Sequence, residues 1–189
     1  VEASEVRKRV TMLPQAARTL ADKVFETVAA GTLKRRRIVI RYGARSTGES
    51  TERTISPQRL VHYRDNWYVD AWCHLRNGLR KFAVDAIADA RLTEERAKAV
   101  DLREVAREFN SGYGIFGGTK VHWAKLRFAP SRARWVAQER WHPDQRGRAE
   151  ADGSYVLEVP YTDSRELMMD ILKYGSEVEV LGPASLVAT

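Results

Sequence analysis

Between Ile38 and Val84 the hydrophobic period is two, and polar turns interrupt it every few residues. Ile38, Ile40 and Tyr42 alternate with Val39 and Arg41, the pattern of a half-buried strand. Gly43 to Ser50 reads as a polar turn, and Thr51 to Ser56 as a second strand. Pro57 breaks it, because proline cannot donate to a ladder and suits a bulge or a strand start. Leu60 to Tyr63 follows, then an Asp65-Asn66 turn and an aromatic strand from Trp67 to Cys73. Arg76-Asn77-Gly78 carries an Asn-Gly hairpin signal, and Leu79 to Val84 closes the series. Five short strands within about 50 residues predict a small antiparallel barrel rather than a sandwich.

The flanks have other rhythms. Upstream, Leu20, Val24, Phe25 and Val28 recur at helical spacing after Pro14, with Ala16, Ala17, Ala21 and Ala29 as helix formers. Gly31 or the Lys34-Arg35-Arg36-Arg37 run ends that helix. Residues 85–120 read as a connector, with one short helix on Leu102, Val105, Ala106 and Phe109. Its glycine-rich stretch, residues 111–118, has the wrong order for a phosphate loop and no strand feeding it, so it reads as a flexible linker. The last third reads β-α-β-β-α-β: strand 121–128, helix from Pro130 to about Gln138, strands near 139–150 and 155–161, a helix capped by Thr162 or Asp163 and ended by Gly175, and strand 178–181. The class is α+β. The expected domains are a linker helix (1–35), the barrel (36–95), a connector (96–120) and a ferredoxin-like βαββαβ domain (121–189).

Charge is distributed unevenly. Residues 1–64 carry 14 basic and 6 acidic side chains, whereas 65–120 carry 9 of each and 121–189 carry 9 and 10. The net +7 of the 189-residue chain therefore originates in its first third, where it would attract phosphate-rich partners. Of the 32 basic residues 24 are Arg, which a GC-rich coding sequence would also produce, so charge alone leaves both readings open.

Chemistry is sparse. His62, His74, His122 and His142 sit at no metal-ligand spacing, and Cys73 has no partner cysteine. Asp163 and Asp170 read as a helix cap and a solvated face. We expect no catalytic residue, no metal, no cofactor and no enzyme. No apolar run reaches the roughly 18 residues of a spanning helix and no secretory signal opens the chain, so a reducing, cytoplasmic setting without membrane contact is expected. Alternation puts Trp67, Val69 and Ala71 on one strand face and Tyr68, Asp70 and Trp72 on the other. Aromatics on both faces suggest base stacking at Tyr68 or Trp72, with packing as the plain alternative.

Several segments then resemble the WYL family. They are Ile55-Ser56-Pro57-Gln58-Arg59-Leu60-Val61, Asn66-Trp67-Tyr68-Val69-Asp70-Ala71 and Arg80-Lys81-Phe82-Ala83-Val84-Asp85-Ala86-Ile87. The name-giving tripeptide stands here as Trp67-Tyr68-Val69. Trp141-His142-Pro143, Asp152-Gly153-Ser154 and the Tyr174 to Pro183 segment resemble the WCX extension that often follows. The resemblance implies an Sm-like, SH3-type barrel and a ferredoxin-like domain that joins subunits. It also implies the effector-sensing part of a bacterial transcription regulator. The expected ligand is single-stranded DNA or RNA, or a nucleotide. Duplex DNA would be bound through an upstream winged helix-turn-helix, and the assembly would be a homodimer. Val1 is not a natural start, so such a segment is expected upstream. Matched by position, the ligand face implied by the resemblance comprises Ser56, Arg59, His62, Tyr68, Arg80 and Phe82, with the core as the equal alternative for Phe82 and for Trp67. Ala86 stands where the family often has a second Arg, so either neighbouring basic groups such as Lys81 or Arg64 substitute or the chain binds a different or weaker ligand. Two other functions fit the same barrel: a constitutive RNA- or single-stranded-DNA-binding module, and a regulatory domain on a nucleic-acid enzyme.

Overall fold

A computed structural model describes residues 18–43, 48–109, 112–115, 117–118 and 120–188. The chain divides into two compact units, one ending at Leu102 and one beginning at Arg103.

The first unit opens with α1 (Asp22–Leu33), which buries Val24, Val28 and Gly31 along one face. Pro14, Ala16 and Ala17 lie outside the described residues. Gly31 does not end the helix; it lies inside the last turn, where a Cβ would stand 2.5 Å from the Ile38 side chain. Lys34 caps the helix instead, and Arg35, at φ 54°, turns the chain into β1 (Arg36–Gly43). β2 (Ser50–Tyr63), β3 (Asn66–Cys73) and β4 (Gly78–Ala83) follow as an antiparallel meander. β2 is one continuous strand, not two. The register slips between Pro57 and Arg59, so Gln58 is the extra residue of a bulge that absorbs the missing proline N–H. The β2–β3 turn falls on Arg64 and Asp65, both at positive φ, one residue earlier than the sequence suggests.

The largest departure is β5 (Ile87–Arg96), a strand that none of the five expected ones covers although it falls almost wholly within the expected barrel range 36–95. It pairs antiparallel with β1, giving the order β4-β3-β2-β1-β5. Only Ile87 is buried along it, so this edge strand has no alternating apolar signal to read. A short 3-10 turn, Val84–Ala86, joins β4 at one sheet edge to β5 at the other. On a flat sheet those strands would stand about 19 Å apart, four spacings of about 4.8 Å. The chain from Ala83 to Ile87 reaches at most about 14 Å. The sheet must therefore curl strongly to bring its edges together. No ladder joins β4 to β5 among the described residues, so the expected barrel is a curled sheet, open along one seam. Its concave side holds Ile38, Ile40, Ile55, Val69, Ala71, Cys73 and Phe82 against α1.

The second unit contains β6 (His122–Phe128), α3 (Pro130–Val136), β7 (Arg146–Ala149), β8 (Tyr155–Tyr161), α4 (Ser164–Leu172), β9 (Val178–Gly182) and α5 (Ala184–Val187). Before them comes α2 (Leu102–Phe109), with Val105 and Phe109 buried. The sheet is antiparallel, ordered β7-β8-β6-β9. Asp163 caps α4 by accepting from the Arg165 N–H at 3.0 Å. The strand expected near 139–150 shrinks to four residues. Gln145 ties the preceding segment into turns, accepting from His142 N–H (3.0 Å) and donating to the Glu139 carbonyl (2.8 Å).

Asp170 is not solvated: it is 5% exposed, as is Glu166 one turn earlier. The glycine-rich segment is not a free linker in its described residues. Tyr113 donates its backbone N–H to the Pro160 carbonyl (2.9 Å) and its hydroxyl to Asp170 (2.5 Å). Ile115 N–H donates to Glu166 at 2.7 Å. Gly114, at φ +84°, allows this approach, since a Cβ there would fall 1.8 Å from the Glu166 carboxylate.

Candidate anionic-ligand site

β3 has both faces covered. Val69, Ala71 and Cys73 enter the core, while Tyr68 and Asp70 on the other face are 7% and 0% exposed. A carboxylate with no water must be paired. Asp70 meets Arg59 of β2 at 2.7 Å and Lys81 of β4 at 2.9 Å. The three residues lie directly opposite one another in the ladders, so the register sets Arg59, Asp70 and Lys81 in one row across three strands. The Gln58 bulge produces this alignment. The row carries two positive charges and one negative, and the side chains of Arg59 and Lys81 remain 28% and 13% exposed. The buried anion holds both cations in fixed orientations.

Beside the row, the chain after β5 docks on the bulge. The fully buried Ser56 hydroxyl accepts from the Lys98 N–H (2.8 Å) and shares a hydrogen bond with His74 Nε2 (2.9 Å). Gln58 donates to the carbonyls of Ser56 and Lys98, both at 2.8 Å, and accepts from the Val100 N–H at 3.2 Å. Lys98 Nζ lies 3.2 Å from the centroid of the Trp72 ring, a close cation–π contact. Burial, then the charges of Arg37 and Lys98, lower the His74 pKa below its ordinary value.

The six sequence-derived residues divide between the two sheet faces. Arg59, Tyr68 and Ser56 share the face of Asp70. Ser56 is wholly engaged by His74 and Lys98, and the Tyr68 ring presents only its margin to solvent. Phe82 is in the core, 2% exposed, edge-on to Tyr42 at 5.1 Å with the Arg53 guanidinium 5.9 Å away. Arg80, exposed, shares its side of β4 and donates to the Leu79 carbonyl. His62, also exposed, lies against Trp67 with ring centroids 4.8 Å apart. Asp70, Gln58 and His74 join this arrangement without having been singled out as ligand residues, whereas Lys81 was named as a substitute for the Arg absent at Ala86. One signal was available: a lone Asp between Val69 and Ala71 on an aromatic strand calls for a cation on each neighbouring strand. Ala86 is half-buried in the 3-10 turn after β4, and Lys81 is the basic group that joins the row. Among the described residues no group of three or more His, Cys, Asp or Glu could hold a metal, and no helix is long and apolar enough to cross a membrane.

Residues 23–92 match the WYL domain family and residues 120–189 the WCX domain family. Protein PafC of Mycobacterium tuberculosis is 32% identical over 160 residues, which cover 84% of this chain and 49% of PafC. The DNA-binding transcriptional repressor CapW of Escherichia coli is 30% identical over 94 residues, 48% of this chain and 31% of CapW. The chain thus spans about half the length of PafC. A solved structure described as a CRISPR Cas-related protein covers 88% of this chain and 48% of its own at 12% identity, with a TM-score of 0.53, a likeness of fold.

Proposed function

Because the chain carries a WYL domain followed by a WCX domain, and so belongs to the WYL family, we propose that it is the effector-sensing and dimerising region of a transcription regulator. The effector is a single-stranded nucleic acid or a nucleotide, and its phosphates meet the Arg59–Lys81 pair. The single observation behind this reading is the buried Asp70 holding two cations from neighbouring strands. Two fixed guanidinium and ammonium groups suit a phosphate better than mobile surface lysines do. The curl of the first sheet and the β5–β1 pairing support an Sm-like barrel over residues 36–95. The fourth-first-third-second order of the second sheet supports a ferredoxin-like domain over 121–189. In this scheme 1–35 links to an upstream helix-turn-helix that binds duplex DNA, 96–120 connects the domains, and the second domain joins two subunits in the cytoplasm. Chemistry is left to other proteins; this region binds and relays.

The two faces make the reading testable. In fluorescence anisotropy at low salt, a labelled single-stranded oligonucleotide binds the 189-residue chain. Arg59→Gln weakens binding about tenfold, while Arg80→Ala, on the other face, leaves it within about twofold. Absence of binding, or loss at Arg80→Ala alone, overturns the assignment.

A further inference from the structure

The second sheet has a face turned away from its helices. Ala124, Leu126 and Phe128 of β6 point into the core, so Trp123, Lys125 and Arg127 point the other way. In register with them stand Arg146 and Arg148 of β7, Val156, Glu158 and Pro160 of β8, and Glu179 of β9. Trp123, on a central strand, is 37% exposed, and the Arg146 guanidinium lies 4.5 Å from its ring centroid. A hollow of about 220 Å³ opens beside Arg146 and Arg148, floored by Gly147 and Val156 and edged by Glu158.

Four cations, Lys125, Arg127, Arg146 and Arg148, outnumber the two acids, Glu158 and Glu179, on this face. The second unit's last 69 residues carry 9 basic and 10 acidic groups, yet four of those basic groups share this one face. Lys125 lies 4.0 Å from Glu158, and Arg148 pairs with Glu150 at 2.7 Å. Among the described residues neither Arg127 nor Arg146 forms an ion pair with a carboxylate. A part-exposed indole on a central strand of an antiparallel four-stranded sheet, with the Arg146 guanidinium over its ring, fits an unpaired base that takes the place of Arg146 on the ring, while Arg146 and Arg127, further along the same face, meet its phosphates. An apolar partner helix would have to desolvate four cations, so the charge pattern disfavours it.

We propose that the open face of the second sheet is a separate binding platform for single-stranded nucleic acid, with Trp123 stacking on a base and Arg127 and Arg146 meeting the flanking phosphates. The inference is independent of the Arg59–Lys81 site.

Photo-crosslinking of the 189-residue chain to a 12-nucleotide oligothymidine, followed by tryptic mapping, tests it. The expected product is an adduct on the peptide Val121–Lys125, which is retained in Arg59→Gln. Trp123→Ala in the same chain lowers affinity roughly tenfold, and Trp123→Phe restores most of it, because stacking needs an aromatic face. Circular dichroism checks that both variants fold. Adducts confined to residues 1–102, or equal affinity for all three chains, overturn the platform. So does a Trp123→Ala chain whose sedimentation mass halves while its oligonucleotide affinity is unchanged, because the face would then belong to a second copy.

Discussion

Asp70 in the first unit and the Glu166–Asp170 pair in the second are carboxylates withdrawn from water, yet they serve different ends. Asp70 gathers two side-chain cations and leaves them at the surface of a sheet. Glu166 and Asp170 gather a backbone N–H and a tyrosine hydroxyl, with Lys173 at 3.0 Å from Asp170. The first arrangement presents charge; the second clasps a stretch of chain. What decides between them is what the neighbours offer. Strand pairing sets long basic side chains beside Asp70, whereas glycines let backbone come within reach of α4. A buried acid on its own therefore does not identify a ligand site; the groups that neutralise it do.

The largest effect expected from breaking this contrast is at Asp70. Asp70→Ala leaves two cations facing each other without their anion and costs the first unit roughly 3 kcal/mol or more. Peptide-resolved hydrogen exchange would show faster exchange in β2, β3 and β4 and none in α4. Equal protection in variant and parent would mean that the row is not structural. Next comes the clasp. Gly114→Ala places a methyl group against Glu166 at a left-handed backbone position and costs about 2 kcal/mol. Exchange then rises in residues 112–115 and α4, with β2–β4 unaffected.

The smallest effect separates the units by pH. His74 has a depressed pKa in the fold, so below about 6.5 the unfolded chain takes up the proton first. Its stabilising contribution is present above that value and disappears as pH falls through the lowered folded pKa. In the second unit, hydrogen bonds from Arg165 and from Arg132 hold Asp163 and Glu177 below their ordinary values. Their contribution persists until the pH falls into the carboxylate range, about 4. Melting followed from pH 7.5 to 5.5 should lower the transition of the first unit only, and His74→Gln should flatten that slope. A slope identical in the variant would exclude His74 as its source.

Much of this fold was legible from period alone. The aromatic strand, the Asn-Gly turn, the Asp163 cap and the β-α-β-β-α-β order of the last third all write their geometry into neighbouring residues. β5 does not, because an edge strand with one buried residue shows no alternation. The continuity of β2 through Pro57 was hidden too, since a bulge can tolerate what a regular ladder cannot. The clasp was missed because glycine permits both a loose linker and a close contact, and only the partner, distant in sequence, distinguishes them. The residues matched by position divide by register: Ser56, Arg59 and Tyr68 share the face of Asp70, while Phe82 and Arg80 alternate to the other side of β4. Lys81, one residue along, is the group the register selects.

The central claim is that the Asp70-anchored cations of the first unit meet the ligand's phosphates. It is tested most directly by the salt dependence of oligonucleotide affinity, measured in a Trp123→Ala background so that the second face is silent. Each cation released from phosphate contact lowers the slope of log affinity against log salt by about 0.7. Arg59→Gln is predicted to reduce the slope by about that amount and to weaken binding most at low salt. Parallel lines of equal affinity for Arg59→Gln and its parent would contradict the account.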